Sequence, residues 1–266
     1  MQQLNFIRRH LGFVLLPLLL IVAAGAWYLL DPGFKADQLP PGSLSTLPQD
    51  AFERRVRDYL VANPEVIVKA MQNLDQRQRD AEQTEAQAAL ATHRDELLNS
   101  PESPVGGNLQ GDVTLVEFFD YNCSYCRQVA PAMMAAEAGD PQLRIVYKEF
   151  PILGPNSVFA AKAGLAANRQ NAYQQFHNAM MQVSGVADEG QVIAVANEIG
   201  LNIEQLRADM QDPMIGDEID RNLALAQVLR INGTPGFVIG EEILRGATDL
   251  QTMQTLIARA REGGDQ

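Results

Sequence analysis

Two strand-length apolar runs, residues 112–119 and 143–150, flank a helical stretch that opens on Cys123-Ser124-Tyr125-Cys126. Apolar residues occupy both alternating faces of each run, the mark of strands covered by helices on both sides. Strand, helix and strand at this spacing make a βαβ unit and place the chain among α/β folds. The chain holds only these two cysteines.

Scattered at random through 266 residues, two cysteines would fall three apart less than about once in a hundred trials. Structural zinc needs two further ligands, and His10, His93 and His177 lie at no ligand spacing, so no metal is expected. A structural disulfide here would close a very short loop and stabilise little. A redox dithiol fits the position. A helix N-terminus offers partial positive charge and free N–H groups, which favour a thiolate and lower the pKa of Cys123. Cys123 is the expected nucleophile, and Cys126, one turn further in, the resolving thiol that releases a mixed disulfide. No cofactor is implied.

Acidic residues outnumber basic ones 33 to 21, a formal charge of −12. That balance attracts no polyanion, so a nucleic-acid partner is excluded. Hydrophobic residues at 46% and charged residues at 20% describe a folded chain rather than a disordered one.

Residues 11–30 carry no charge and end in Trp27-Tyr28-Leu29-Leu30. Twenty helical residues span the roughly 30 Å core of a bilayer. Arg8 and Arg9 before the run and acidic residues after it put the first residue in the cytoplasm and the body outside. Residues 1–30 are therefore expected to be a cytoplasmic tip and transmembrane helix anchored in the inner membrane. The alternative is a signal peptide cleaved near Ala24-Gly25-Ala26, leaving a soluble periplasmic chain. Residues 31–49, rich in Pro, Gly and Ser, read as a tether.

From residue 50 to 99 the pattern is helical. Phe52, Val56, Tyr59 and Leu60 recur at helical spacing. Asn63-Pro64-Glu65 reads as N-cap, first helical residue and dipole-facing acid of a second helix, and a polar, Ala-rich stretch follows Asp75. Such helices build no core alone. They either pack on the main domain or join copies of the chain. The scarcity of apolar residues after Asp75 favours self-association as a homodimer or homotrimer.

The main domain is expected over residues 105–266. Between about 156 and 230 five helical segments alternate with Gly, Asn and Asp breaks. A hairpin at 237–240 and 243–246 and a helix at 249–261, capped by Asp249 or Thr248, close the chain. Met133, Met134, Met180 and Met181 read as core and groove filler rather than metal ligands.

Glu117-Phe118-Phe119-Asp120-Tyr121-Asn122-Cys123-Ser124-Tyr125-Cys126, then Lys148-Glu149-Phe150-Pro151, then Gly233-Thr234-Pro235-Gly236-Phe237 together resemble the DsbA-like branch of the thioredoxin superfamily. The resemblance runs from about Gly106 to the C-terminus. The helical segment before it resembles the extension of ScsC-like and Com1-like exported disulfide proteins. This implies a thioredoxin fold with an inserted helical domain, preceded by a helical extension. It further implies that Pro235 is a cis-proline facing the dithiol. Thr234 would offer its backbone to an extended client, with Ser124 and Tyr125 completing the substrate surface. Glu117 would be a buried proton shuttle to Cys126, with Lys148 on the next strand tuning the pKa beside it. An edge-exposed Glu and a snorkelling Lys are the alternative.

Ser124-Tyr125 supplies no cation to the thiolate, which predicts a milder poise than that of a strong oxidant. Tyr125 and Thr234 also resemble the corresponding positions of disulfide isomerases. The expectation is an exported thiol–disulfide oxidoreductase of isomerase or reductase type. It would act on cysteine-containing exported proteins and be recharged by a membrane redox partner of unknown identity. Within the same class the alternative is a net dithiol oxidase. Outside it stands a copper(I)-binding protein using both thiolates, or a chaperone.

Overall fold

The computed structural model describes residues 48–263. The expected anchor over residues 1–30 lies outside that range, as does the expected tether except for its last two residues. Among the described residues no helix is long and apolar enough to cross a membrane. The chain divides into two compact units, one ending at Leu74 and the other beginning at Asp75.

In the first unit, helix α1 (Gln49–Ala62) and the opening of α2 (Glu65–Thr92) bury no side chain. Phe52 and Tyr59 are each 58% exposed and Met71 is 61% exposed. Asn63, expected to cap α2, turns its side chain the other way: Nδ2 donates to the Tyr59 carbonyl at 2.8 Å. Its backbone N–H donates to the same oxygen. The unsatisfied carbonyls that end α1 claim both donors.

The second unit holds a five-stranded sheet in the order β1 (Val105–Gly107), β3 (Leu143–Glu149), β2 (Val113–Phe119), β4 (Gly236–Ile239), β5 (Glu242–Arg245). β2 and β3 are parallel, joined by helix α4 (Ser124–Gly139), and the outer pairings are antiparallel. Helices α5 (Pro155–Arg169), α6 (Tyr173–Met181), α7 (Glu189–Glu198), α8 (Ile203–Asp209) and α9 (Pro213–Val228) form the insertion between β3 and β4. The last helix, α10 (Leu250–Gly263), is capped by Asp249, whose Oδ1 accepts the Thr252 N–H at 2.7 Å.

Strand alternation divides the core in two. Leu115, Phe119, Ile145, Tyr147, Phe237 and Ile239 point to one face, where α4, α6 and α10 pack. Val116, Phe118, Val146 and Val238 point to the other, beneath Leu225 and Leu229 of α9 and its neighbouring loop. Leu90 of α2 and Leu97 of α3 (Arg94–Asn99) join that second cluster. Each such fully buried side chain stabilises the sheet by about 1.5–3 kcal/mol. Met133, Met180 and Met181 fill the first core, whereas Met134 is exposed and fills neither. Which face a strand residue takes decides everything about the site.

Candidate active site

The nucleophile stands on a heavily tied turn. Beyond the end of β2, Asp120 accepts the Asn122 N–H at 2.8 Å and the Leu153 N–H at 3.0 Å. Asn122 accepts the Ala187 N–H at 2.8 Å. Arg127 donates twice to the Tyr121 carbonyl, at 2.9 and 2.6 Å, and once to the Gly185 carbonyl. These bonds fix the turn to the segment after β3 and to the loop between α6 and α7. Sequence reasoning passed over all three side chains. The signal available was Asp and Asn two apart, which is turn chemistry.

Cys123 occupies the N-cap of α4 in extended backbone, and its sulfur accepts the Cys126 N–H at 3.4 Å. In the thiol form the sulfur faces the Thr234 carbonyl at 3.2 Å. Its pKa is pushed down to about 5, first by a hydrogen bond from the Cys126 thiol, against the opposing effect of burial. The Thr234 side chain and the backbone N–H groups of Cys126 and Tyr125 add to the lowering. Cys126 is fully buried. Burial above all, then its bond to Cys123 and the nearby charge of Glu117, drive its pKa far up. One sulfur is a thiolate at neutral pH and the other a locked thiol.

Opposite the pair, the Thr234–Pro235 peptide is cis. Thr234 is half-buried and Pro235 buried, while Ser124 and Tyr125 are exposed beside Cys123.

Glu117 and Lys148 part company. Register pairs Glu117 with Tyr147 and Phe118 with Lys148. Glu117 therefore shares the face of Cys126, whereas Lys148 points through the opposite face. The expectation of a Glu117–Lys148 pair beside the thiols is corrected: a one-residue offset on a strand reverses the side. Lys148 instead donates to Ser103 Oγ at 2.8 Å and to the Glu96 carbonyl at 2.9 Å, with Glu218 at 4.0 Å. It secures α3 to the sheet from the face opposite the thiols. Glu117 is buried, and its Oε2 has no hydrogen-bond partner among the described residues. Desolvation, then the Cys123 thiolate, raises its pKa to about 8. It is thus a mostly neutral acid at pH 7, able to exchange one proton near Cys126.

A second buried carboxyl lies on the same face. Glu149 Oε1 accepts the hydroxyls of Tyr121 at 3.1 Å and Tyr173 at 3.0 Å, and burial raises its pKa well above the carboxylate range. Gly164 of α5 makes room for it: a Cβ there would lie 2.6 Å from Glu149 Oε1 and 3.0 Å from the Tyr121 hydroxyl. His177 packs among four rings, stacked on Tyr173, tilted against Tyr121 and Tyr147 and edge-on to Phe119. Burial lowers its pKa to about 3 and keeps it neutral.

A low-pKa sulfur at a helix N-terminus, a buried thiol behind it and a cis-proline in front, all on a thioredoxin-type sheet, define a dithiol protein of the thioredoxin class. Residues 114–258 match the DSBA-like thioredoxin domain and residues 49–81 match the Copper resistance protein ScsC N-terminal domain. The chain belongs to the DSBA-like thioredoxin domain family. Among solved structures it is similar to BcfH of Salmonella enterica Typhimurium, with 32% identity, TM-score 0.68, and coverage of 80% of this chain and 95% of that one. A thioredoxin-like oxidoreductase from Silicibacter pomeroyi DSS-3 is 47% identical, with TM-score 0.63, over 64% of this chain and 98% of that one. Proteus mirabilis ScsC in a transitional conformation is 28% identical, with TM-score 0.61, over 80% and 97%. Curated relatives include the Na(+)/H(+) antiporter NhaA of Herminiimonas arsenicoxydans, 28% identical over 173 residues. That match takes in 63% of this chain and 28% of the antiporter, so the chain spans about a quarter of that relative's length.

Proposed function

We propose that the chain is an exported thiol–disulfide oxidoreductase that acts on protein cysteines, with isomerase or reductase activity favoured over net oxidation. The observation that carries this is the polarity of the two sulfurs: Cys123 lowered to about 5 and Cys126 buried and raised. Cys123 thiolate attacks a client disulfide, forming the Cys123–client bond and releasing one client sulfur as thiolate. For isomerisation that client thiolate attacks a second client disulfide, and the thiolate so released attacks the client sulfur of the Cys123–client bond, forming a new client disulfide and freeing Cys123 as thiolate. For reduction Cys126, giving its proton to Glu117, attacks Cys123 and expels the client as dithiol.

The degree of lowering supports an intermediate poise. Nucleophilic cysteines have pKa values of about 7 in thioredoxin and about 3.5 in DsbA, whose potentials are about −270 and −120 mV. A value of about 5 for Cys123 lies between them. Thr234 and cis-Pro235 in front of the sulfur, with exposed Ser124 and Tyr125 beside it, support their reading as the client-binding surface.

The similar periplasmic thioredoxin-like protein from Salmonella enterica serovar Typhimurium supports a periplasmic location. The reading of residues 1–30 as an inner-membrane anchor rests on their length and flanking charges alone, with a cleaved signal peptide as the alternative. Exposed Phe52, Tyr59 and Met71 support self-association through the first unit. Refolding of a scrambled-disulfide protein tests the whole reading. The full chain is expected to restore native pairing, and Cys123→Ser to abolish it. A chain beginning at Asp75 is expected to keep simple reduction and lose isomerisation. A measured potential near the strong-oxidant end would overturn the isomerase preference.

A further inference from the structure

A cleft of about 470 Å3 lies between α2 and the outer strand β5. Glu82, Gln83 and Gln87 line the helix wall; Glu242, Ile243 and Arg245 line the strand wall. Among the described residues β5 ends the sheet, with no strand beyond it. Its hairpin closes on the pair Ile239–Glu242, and the Gly246 N–H donates to the Pro235 carbonyl at 2.8 Å. Bonded pairs alternate along an antiparallel ladder, so Glu242 and Leu244 bond to β4. The N–H and C=O groups of Ile243 and Arg245 then face outward.

The cleft follows the strand along its length, and at one end it reaches Arg230 and Asn232, on the loop leading to Thr234 and Pro235. Arg245 fixes that loop, donating to the Arg230 carbonyl at 2.7 Å and the Leu229 carbonyl at 3.1 Å. Glu85 of α2 pairs with Arg230 at 2.9 Å, which ties the helix wall to the same loop. Three arginines and three glutamates line the space. It therefore selects for neither charge and presents amide and backbone groups instead.

We propose that this cleft holds the extended client segment flanking the cysteine joined to Cys123, added to the sheet as a strand along β5, a role that presupposes the thiol–disulfide reading above. Asn232 is two residues from Thr234, so a client seated at Thr234 crosses about 7 Å of chain to reach the cleft. Four further residues at about 3.3 Å each match the strand. Recognition through main-chain bonds suits clients of unrelated sequence.

The test uses the full chain with Cys126→Ser, which traps a mixed disulfide at Cys123. One sample carries glutathione, another a twelve-residue peptide with a single cysteine near one end. Amide hydrogen exchange is read at Ile243 and Arg245. Protection with the peptide alone is expected. Equal protection in the free chain or with glutathione, or protection in neither complex, overturns the proposal. Independently, Gln83→Trp with Gln87→Trp, both at exposed positions, is expected to raise KM for a long peptide disulfide about fivefold, the worth of one hydrogen bond. KM for glutathione disulfide should not move, and an unchanged peptide KM overturns the proposal. A chain that captures neither partner overturns the parent reading, and this one with it. One that captures both without protecting the two amides overturns this one alone.

Discussion

Replacing Glu117 by Gln isolates a single proton. The carboxyl titrates near 4.5 in an unconstrained chain and at about 8 in the folded one. Between those values the folded chain holds a proton that the unfolded chain has released, so stability falls as pH rises through that window. At 1.36 kcal/mol per pH unit, tapering at both ends, this group removes about 2–3 kcal/mol between pH 5 and pH 7. Glu117→Gln has no proton to lose. Every other titration, including that of Cys123, is common to the two chains and cancels in their difference to first order. Denaturant unfolding of both reduced chains at pH 5, 6, 7 and 8 reads the difference directly. The variant should gain on the parent as pH rises. A difference that stays constant from pH 5 to pH 8 would refute the assignment. The same proton has a kinetic signature. At pH 7 about a tenth of Glu117 is ionised and able to accept a proton from Cys126. Release of a mixed disulfide should therefore accelerate with pH and level off at or below about 8, since the thiolate that helps raise Glu117 is consumed in the adduct. Without the carboxyl the rate should drop roughly a hundredfold and lose that inflection.

Alkylation of Cys123 should follow a titration centred near pH 5, and an inflection near 8.5, the ordinary thiol value, would defeat the nucleophile assignment. Lys148→Ala removes the donor to Ser103 and the Glu96 carbonyl while Arg221 still pairs with Glu218 at 2.8 Å, and should cost about 1–3 kcal/mol in denaturant unfolding. It should leave the Cys123 titration in place, and any displacement would mean that Lys148 reaches the thiols after all. Asn122→Ala gives up the tie to Ala187 and should cost about 1–2 kcal/mol. Unchanged unfolding would show that Asp120 and Arg127 hold the turn unaided.

What was legible in the chain followed local rules. The two apolar runs, the helices of the insertion and the closing hairpin each announced themselves through period and breakers, and the cysteine pair through its spacing. The separation of Glu117 from Lys148 belongs to a different level. Apolar runs identify adjacent strands but not their register, and one residue of offset decides which side of a sheet a charge occupies. Asn63 failed for a related reason: the residue was suited to a helix end, and two ends competed for it. Tyr121 and Glu149 follow or end adjacent strands, and Tyr173 and His177 lie one turn apart on α6, far from both in sequence. Only the return of the insertion over the sheet brings them together, so no local signal marks them.

Gly164 and Glu149 touch too closely to be inherited separately. A methyl group on the helix would demand the space the carboxyl oxygen fills, and trimming the acid would open a hole that only a bulkier neighbour could occupy. Substitution at either position alone meets a barrier that falls when both alter at once, although a Cβ at 164 would still press on the Tyr121 hydroxyl at 3.0 Å. A library randomised at 149 and 164 should therefore return matched combinations, long acid with no side chain or short residue with methyl, and few hybrids.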